Sequence, residues 1–362
     1  MELHELGFGP WFQTKLSQLP PSEYRLARIT AVNKDNYLIK NESGEILAEI
    51  IGKLRYEADS NLDLPTVGDW VFVQYFDDNT FAIIHQIFPR KSLLKRKMAG
   101  KKIEYQLLAA NIDTALIIQS LDFDFNLPRL ERYLVMVHES HIEPVILLSK
   151  ADLISSAELE LKLSQVHKLN KNYPIIAFSN ETAAGLPSIE DLIRPGITHC
   201  LLGSSGVGKT TLLNRLLGQN RFATNTVREK DGRGRHTTNQ RQLIILNNGG
   251  LIIDTPGLRE LGNIGVEVGI TETFANISEL AEQCHFKNCT HTNEPGCAVL
   301  DALEKELISV EHYRNYLKLR KESAYYETSW LEKRQRDKRL GKLYKEIMKQ
   351  HNRRNKNFGE DN

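Results

Sequence analysis

Eight residues near the middle of the chain, Gly203-Ser204-Ser205-Gly206-Val207-Gly208-Lys209-Thr210, restrict its fold more than any other stretch. They match G-x-x-x-x-G-K-[ST], a loop whose backbone cradles phosphate. An apolar run, Ile197 to Leu202, precedes them and a helical pattern, Thr210 to Leu217, follows. The glycines therefore fall in a strand-to-helix turn. There they let backbone N–H groups face phosphate oxygens, and the helix N-terminus adds partial positive charge. Lys209 is expected to reach the β- and γ-phosphates, and the Thr210 hydroxyl to ligate Mg²⁺. With Thr211 following, the residues from Gly203 to Thr211 form the candidate phosphate site. A plain Gly-rich turn is the bland alternative, and the flanking strand and helix disfavour it.

Such a loop does not by itself separate ATPase, GTPase and kinase, but its neighbours do. Downstream, Asp254-Thr255-Pro256-Gly257 ends the apolar strand Leu251–Asp254 as a D-x-x-G. Asp254 is expected to hold Mg²⁺ through water, and the Gly257 N–H to face the γ-phosphate. Upstream, Ser149-Lys150-Ala151-Asp152 ends the strand Pro144–Leu148 and looks like the guanine-reading N-K-x-D with Ser in the Asn position. Ordinary GTPases carry this motif after D-x-x-G, whereas here it comes first. The order implies a circularly permuted GTPase, and the Asp152 motif disfavours a small-molecule kinase.

Between Arg221 and Thr238 the sequence loses periodicity and becomes rich in Gly and charge, the place of a GTPase switch loop. Many regulatory GTPases put a Gln after D-x-x-G to orient the attacking water. Here Leu258 stands there and cannot hydrogen-bond. His236, two residues before Thr238, is the candidate for placing the water. Thr238 is the candidate for Mg²⁺ and the γ-phosphate, with Thr237 as fallback. The candidate catalytic set is thus His236, Thr238 and Lys209, and the magnesium set is Thr210, Thr238 and Asp254.

The four cysteines are unevenly placed. Cys200 lies on the strand feeding the phosphate loop and reads as a small buried hydrophobe. The others form Cys284-x₄-Cys289-x-His291-x₅-Cys297, the donor set of a closed, structural Cys₃His zinc site. Its spacing confines all four ligands to one loop between helices, which a metal can tie together.

With 362 residues, 41% hydrophobic and 26% charged, the chain should form two or three globular domains. No apolar run approaches the ~18 residues of a membrane span. The opening stretch has neither a basic segment nor an apolar core, so a cytoplasmic protein is expected. Charge is nearly balanced overall but not locally. Between Lys333 and Lys356 eleven Lys/Arg face only Asp337 and Glu346, and Arg90 to Lys102 holds seven Lys/Arg and no acid. Such asymmetry suggests an anionic polymer as partner, a solvated helix face being the alternative.

Taken in order, residues 1–21 are weakly patterned and expected to be a mobile arm. Short strands Arg25–Asn33, Asn36–Lys40, Ile46–Ile51, Trp70–Phe76 and Phe81–Phe88 predict an OB-type β-barrel over 22–89, with Trp70 in its core. A basic linker, 90–104, follows. From 105 to 266 strands Asp113–Gln119, Pro144–Leu148, Ile175–Phe178, Thr198–Leu202, Gln242–Leu246 and Leu251–Asp254 alternate with helices Pro128–Ser140, Ser156–Lys171 and Lys209–Leu217. That alternation predicts a mostly parallel sheet covered on both faces, with ligands at the carboxyl ends of its strands. A helical zinc-binding domain, 267–330, and a basic C-terminal extension, 331–362, complete the chain. Tyr313, Tyr316, Tyr325, Tyr326 and Trp330 are expected to pack helices rather than stack bases.

Barrel, permuted GTPase and Cys₃His loop together resemble the bacterial family of ribosome small-subunit-dependent GTPase A (RsgA). The resemblance rests also on Val67-Gly68-Asp69, Pro89-Arg90-Lys91-Ser92, Ala110-Asn111-Ile112-Asp113, Arg132-Tyr133-Leu134 and Gly234-Arg235-His236-Thr237-Thr238. It implies a GTPase with Mg²⁺ and one structural Zn²⁺ that binds the small (30S) subunit and its 16S rRNA late in assembly, with hydrolysis stimulated by the subunit. It also points to His236 as the catalytic residue. A monomer with no membrane partner is expected. Two positions depart from the family pattern. Ser149 replaces an Asn that braces the loop, which predicts weaker nucleotide binding. Ser179-Asn180-Glu181 stands where a Ser-Ala segment presents an N–H to guanine, so Ser179 and Asn180 join the candidate nucleotide set. The alternative function is a nucleotide-gated RNA-binding protein with vestigial hydrolysis.

Overall fold

A computed structural model describes residues 2–34, 36–97, 105–169, 172–222, 241–255 and 266–324 of the chain. Helix α1 (Pro10–Ser17) comes first. Strands β1 (Arg25–Val32), β2 (Tyr37–Asn41) and β3 (Gly44–Ile50), a short helix α2 (Gly52–Glu57), then β4 (Trp70–Phe76) and β5 (Phe81–Ile87) follow. These five strands close into the expected barrel, in the order β1-β2-β3-β5-β4 and back to β1. The parallel pairing of β3 with β5 and the antiparallel pairing of β1 with β4 complete the ring. Its interior is filled by small and branched side chains, among them Ala27, Ile29, Ile39, Ala48, Val71 and Ile84. A register shift between Ile29 and Ala31 bends β1, as closure of a small barrel requires.

The first residues are not the expected mobile arm. Leu6, Phe8 and Phe12 are buried against Trp70, Phe72 and Phe88, and Phe8 meets Trp70 edge to face at 4.9 Å. Trp70 is core, as expected, but of this outer cluster rather than of the barrel interior. The physical reason is tertiary: three apolar side chains spaced by Gly7, Gly9 and Pro10 match no helix or strand period, yet they cover a ready aromatic face.

The expected linker over 90–104 is also built differently. Strands β6 (Leu93–Lys97) and β7 (Tyr105–Ala110) pair antiparallel, so its residues Leu93–Lys97 form a sheet strand. Arg90 forms a paired contact with the buried carboxylate of Asp69, at 2.8 Å from each nitrogen, and Lys91 pairs with Asp113 at 2.7 Å. Three of the motifs quoted for the family resemblance, Val67-Gly68-Asp69, Pro89-Arg90-Lys91-Ser92 and Ala110-Asn111-Ile112-Asp113, meet at this junction. Asn111 Nδ2 donates to the Gly68 carbonyl at 3.0 Å and the Lys91 amide donates to Asn111 Oδ1 at 2.8 Å. The buried guanidinium of Arg28 donates to the carbonyls of Leu6, Gly68 and Asn111. It thereby joins the N-terminal segment, the barrel and the next domain. Burial lowers its pKa to about 10, opposed by Asp113 and Asp69, so it stays charged. A Cβ on Gly68 would lie 2.2 Å from the Ala110 carbonyl oxygen, which explains glycine there.

The central sheet contains β8 (Thr114–Ser120), β9 (Glu143–Ser149), β10 (Ile175–Ala177), β11 (Thr198–Leu202), β12 (Gln242–Ile245) and β13 (Leu251–Asp254). Its order is β10-β9-β8-β11-β13-β12, parallel except for the edge strand β12. A single pairing, Ala31 with Gln242, carries this sheet into the barrel. Alternate residues face opposite sides, as period-2 burial demands. Helices α3 (Leu127–Glu139) and α4 (Ser156–His167) cover one face. Helices α5 (Leu186–Leu192) and α6 (Lys209–Leu217) cover the other. Helix α5 has no counterpart in the sequence reading; at seven residues it is too short to show a period.

His199, on β11, is buried with both ring nitrogens unpartnered among the described residues. Burial lowers its pKa to about 4, against a smaller opposing pull from Asp113. The unfolded chain therefore takes up a proton that the folded chain refuses once pH falls below the ordinary value near 6.5. Stability from this residue is complete above that value and is lost as pH drops towards 4, by about 2 kcal/mol between pH 7 and 5. His199→Leu should flatten the fall in melting temperature over that range; equal slopes would show the imidazole does not set it.

Beyond the sheet, α7 (Glu267–Thr273), α8 (Ala275–Ala281) and α9 (Ala298–Glu304) precede a further helix over 310–324, the last among the described residues. They pack around Phe274, Ile277, Val299, Tyr313, Tyr316 and Leu319. Tyr313 and Tyr316 are thus helix-packing residues, as expected. Val135 of α3 belongs to the same cluster, and a Cβ on Gly269 would lie 2.1 Å from its carbonyl oxygen. Buried Glu131, also on α3, bonds His312 and Asn315. Helix α3 therefore serves two cores at once. The basic run Lys333–Lys356, with Tyr325, Tyr326 and Trp330, lies outside the described residues.

Candidate nucleotide site and metal centre

Strands β8, β9, β11 and β13 end on one edge of the sheet. Ser120 is level with Ser149, and Leu201 with Asp254. Gly203 (φ +150), Gly206 (φ +85) and Gly208 (φ +95) turn the chain from β11 into α6. A Cβ on Gly203 would come within 2.4 Å of the Ile118 carbonyl oxygen, so the loop sits directly on the neighbouring strand. Gly208 caps α6, and Thr210 and Thr211 occupy the helix's first turn.

Lys209 is buried inside the loop, where Nζ donates to the carbonyls of Gly203 at 2.8 Å and Ser204 at 2.6 Å. Burial lowers its pKa to about 8 while the Asp254 carboxylate pulls the other way. A cation held out of water beside main-chain carbonyls gains most from an incoming polyanion. Asp254 is buried at the end of β13, and Thr255 Oγ1 donates to the Leu201 carbonyl at 2.5 Å, locking the strand ends together.

The base loop is joined to the phosphate loop. Ser149, fully buried, donates from Oγ to the Val207 carbonyl at 2.7 Å. The brace expected to be weakened by Ser in place of Asn is therefore made by the hydroxyl. Lys150 follows in the left-handed region (φ +61) and pairs with Asp122 at 2.6 Å. Asp152 stands exposed on the short turn Ala151–Leu153, whose first amide donates to the Phe178 carbonyl at 3.1 Å. Ser179 Oγ accepts from the amides of Glu181 and Thr182, each at 3.1 Å, and shapes its own loop. Asn180 Nδ2 donates to the Gly208 carbonyl at 3.3 Å, and the Asn180 carbonyl accepts from Arg215 at 2.9 Å. Ser149, Lys150, Asp152, Ser179, Asn180, Gly203–Thr211 and Asp254 thus lie around one edge. His236, Thr237, Thr238, Gly257 and Leu258 lie outside the described residues.

The turn after β8 was absent from the sequence reading. Asp124 accepts from Ser204 Oγ at 2.8 Å and pairs with Arg129. The available signal was position alone: two acids directly after a strand that ends on the ligand edge.

Cys284, Cys289, His291 and Cys297 place their ligand atoms within 4.8 Å of one another, a cluster that can hold a metal ion. Cys284 Sγ lies 3.8 Å from Cys297 Sγ. His291 Nδ1 lies 3.6 and 3.5 Å from the same two sulfurs, which assigns Nδ1 as the donor. His291 has φ +62, and its carbonyl accepts from Tyr313 Oη at 2.5 Å, tying the loop to the last helix.

Residues 87–264 match the family model for the RsgA GTPase. A Vibrio parahaemolyticus protein named small ribosomal subunit biogenesis GTPase RsgA 2 is 40% identical over 98% of this chain and 95% of its own length. This chain belongs to the RsgA family. A Lactiplantibacillus plantarum RsgA 2 of the same description is 45% identical over 83% of this chain and 84% of its own. The crystal structure of YjeQ from Thermotoga maritima superposes with a TM-score of 0.61 at 26% identity, covering 82% of this chain and 96% of that one. YloQ, described as a circularly permuted GTPase, shares the fold with a TM-score of 0.59 at 24% identity. This RsgA-family chain is accordingly a GTPase with motifs in permuted order, a closed barrel before them and a Cys₃His cluster after them.

Proposed function

We propose that this chain hydrolyses GTP on the small ribosomal subunit during the subunit's biogenesis, and that docking stimulates the hydrolysis. One observation carries the nucleotide reading: the base loop and the phosphate loop are clamped together by Ser149 Oγ on the Val207 carbonyl. One nucleotide spanning both loops would be gripped at each end. The relatives' names supply the ribosomal context.

Gly203–Thr211 bind the phosphates, with Lys209 reaching the β- and γ-oxygens. Asp152 and Lys150 take the guanine, and Ser179 and Asn180 frame it. Thr210 and Asp254, with Thr238, are the groups that would hold Mg²⁺, which neutralises charge developing on the phosphates when bound. Zinc is the metal we assign to the Cys₃His cluster. A tetrahedron with Zn–S of about 2.3 Å and Zn–N of about 2.0–2.1 Å has S–S edges of about 3.8 Å and S–N edges of about 3.5 Å. Those edges match the distances between Cys284, Cys297 and His291.

The partner is the small subunit through 16S rRNA, and the protein acts as a cytoplasmic monomer. Among the described residues no helix is long and apolar enough to cross a membrane. Arg90 and Lys91 are taken up by Asp69 and Asp113, so the rRNA contact is assigned to the remaining basic residues, chiefly Lys333–Lys356.

His236 is assigned to placing the attacking water when the protein is docked on the subunit. The test is single-turnover phosphate release with and without saturating small subunits. The subunit should accelerate the wild type, and His236→Ala should keep GTP and subunit binding while losing most of the stimulated rate. A rate indifferent to subunits would favour an RNA-binding protein with vestigial hydrolysis. An unchanged mutant rate would remove His236 from the mechanism.

A further inference from the structure

We propose that Asp122, on the turn after β8, is a positioning residue for base recognition, acting by holding the Lys150 ammonium so that the lysine stem is set before guanine arrives. This rests on the reading of Ser149–Asp152 as the base loop. Asp122 Oδ2 lies 2.6 Å from Lys150 Nζ, with the two side chains 11% and 27% exposed. Its other oxygen is not free to wander: Oδ1 accepts from Ser120 Oγ at 2.8 Å and from the Asp124 amide at 3.0 Å. Burial works against the charge on Asp122. The hydrogen bonds from Lys150, the Asp124 amide and Ser120 outweigh it and hold the carboxyl below its ordinary range, so an anion faces the lysine at neutral pH.

Lys150 needs such a partner. Its backbone is left-handed, which is uncommon for a residue with a Cβ. A lysine side chain on that backbone has four rotatable bonds and a point charge that water would otherwise solvate. One end of the loop is fixed by Ser149 on Val207 and by the Ala151 amide on the Phe178 carbonyl. Asp122 fixes the side chain. The same turn reaches the phosphate loop through Asp124, which accepts from Ser204 Oγ. The turn over 121–126 therefore touches both halves of the nucleotide site, and Asp122 is its contact with the base half.

A residue that acts through Lys150 makes a different prediction from one that merely shapes a turn. Asp122→Asn should raise the Kd for GDP about tenfold, through faster dissociation. Lys150→Met should do the same. The double variant should be no weaker than Lys150→Met alone, because the ammonium that Asp122 serves is then gone. A turn-shaping role would make the two losses multiply, and that outcome overturns the proposal, as does an unchanged Kd in Asp122→Asn. If Asp122→Asn fails to fold, Asp122→Ser keeps an acceptor for the Asp124 amide without an anion for Lys150, and the same cycle applies. Asp152→Asn, measured in parallel against GDP and ADP, separates this inference from the reading beneath it. Loss of guanine preference there with additive Asp122 effects sinks the inference alone. Wild-type protein that binds GDP and ADP equally sinks both.

Discussion

Asp152→Asn should cost this GTPase its affinity for guanine nucleotides by two to four orders of magnitude. Guanine presents two adjacent donors, a ring N–H and an exocyclic amine, and a carboxylate can accept from both. Each hydrogen bond to a charged group contributes about 1.5–3 kcal/mol, and about 1.4 kcal/mol is a decade of affinity. An asparagine offers one acceptor and turns an amide donor towards a guanine donor, so one bond is lost and a repulsion replaces it. The geometry argues that the loss is local. Asp152 sits on a turn whose flanks are pinned by Ser149 on Val207 and by Ala151 on Phe178. The variant should therefore keep its fold and its phosphate loop. Xanthine carries oxygen where guanine has the amine, so a xanthosine nucleotide should accept the new amide donor and recover binding. The measurement is a titration of GDP, XDP and ADP against wild type and variant. Tight GDP binding by Asp152→Asn, or equal wild-type affinity for GDP and ADP, would sink the assignment.

Much of this site was legible because its chemistry is written in short segments. Gly203–Thr210, Asp254 and Ser149–Asp152 each end an apolar strand, and parallel strands bring their carboxyl ends to one edge whatever the connections between them. The barrel was legible for a similar reason, since turn-forming residues separate its strands. What could not be read depends on contacts between distant residues. The seven basic residues from Arg90 to Lys102 count alike in a sequence, yet Arg90 is paired with buried Asp69 and Lys91 with Asp113. Leu6, Phe8 and Phe12 have no period to betray them and are explained only by the Trp70 face they cover. Ser149 reads in the sequence only as a departure from the family's Asn; that its hydroxyl reaches the Val207 carbonyl depends on a contact across 58 residues. Asp122 carries no sequence signal of its own, since its tie to Lys150 joins residues 28 positions apart.

Removing the metal should unfold the helical domain while leaving the nucleotide site in working order. Structural zinc in small domains contributes about 10–16 kcal/mol of apparent binding free energy, comparable with or larger than the 5–15 kcal/mol that stabilises a typical domain. Cys289 and Cys297 are themselves buried in the helical core, and the His291 carbonyl is tied to Tyr313. Chelation, or Cys289→Ser, should therefore loosen everything from α7 to the last helix rather than the loop alone. The disturbance has a defined route inward, because α3 carries Val135 and Glu131 into that core. Loss of His312 and Asn315 would strand the Glu131 carboxylate, and melting should begin on that side of α3. Its opposite side, with Leu130, Tyr133 and Leu134, stays packed on the sheet. Among the described residues no base- or phosphate-loop residue belongs to the helical core, so GDP affinity should change less than about tenfold, under 1.4 kcal/mol. Hydrogen exchange read segment by segment checks this: protection over 266–324 should vanish on chelation while that of β8, β9, β11 and β13 persists. Protection that survives a strong chelator, or purified protein with well under one zinc per chain, would count decisively against a structural metal. Collapse of GDP binding together with the helices would show instead that α3 transmits the loss into the nucleotide site.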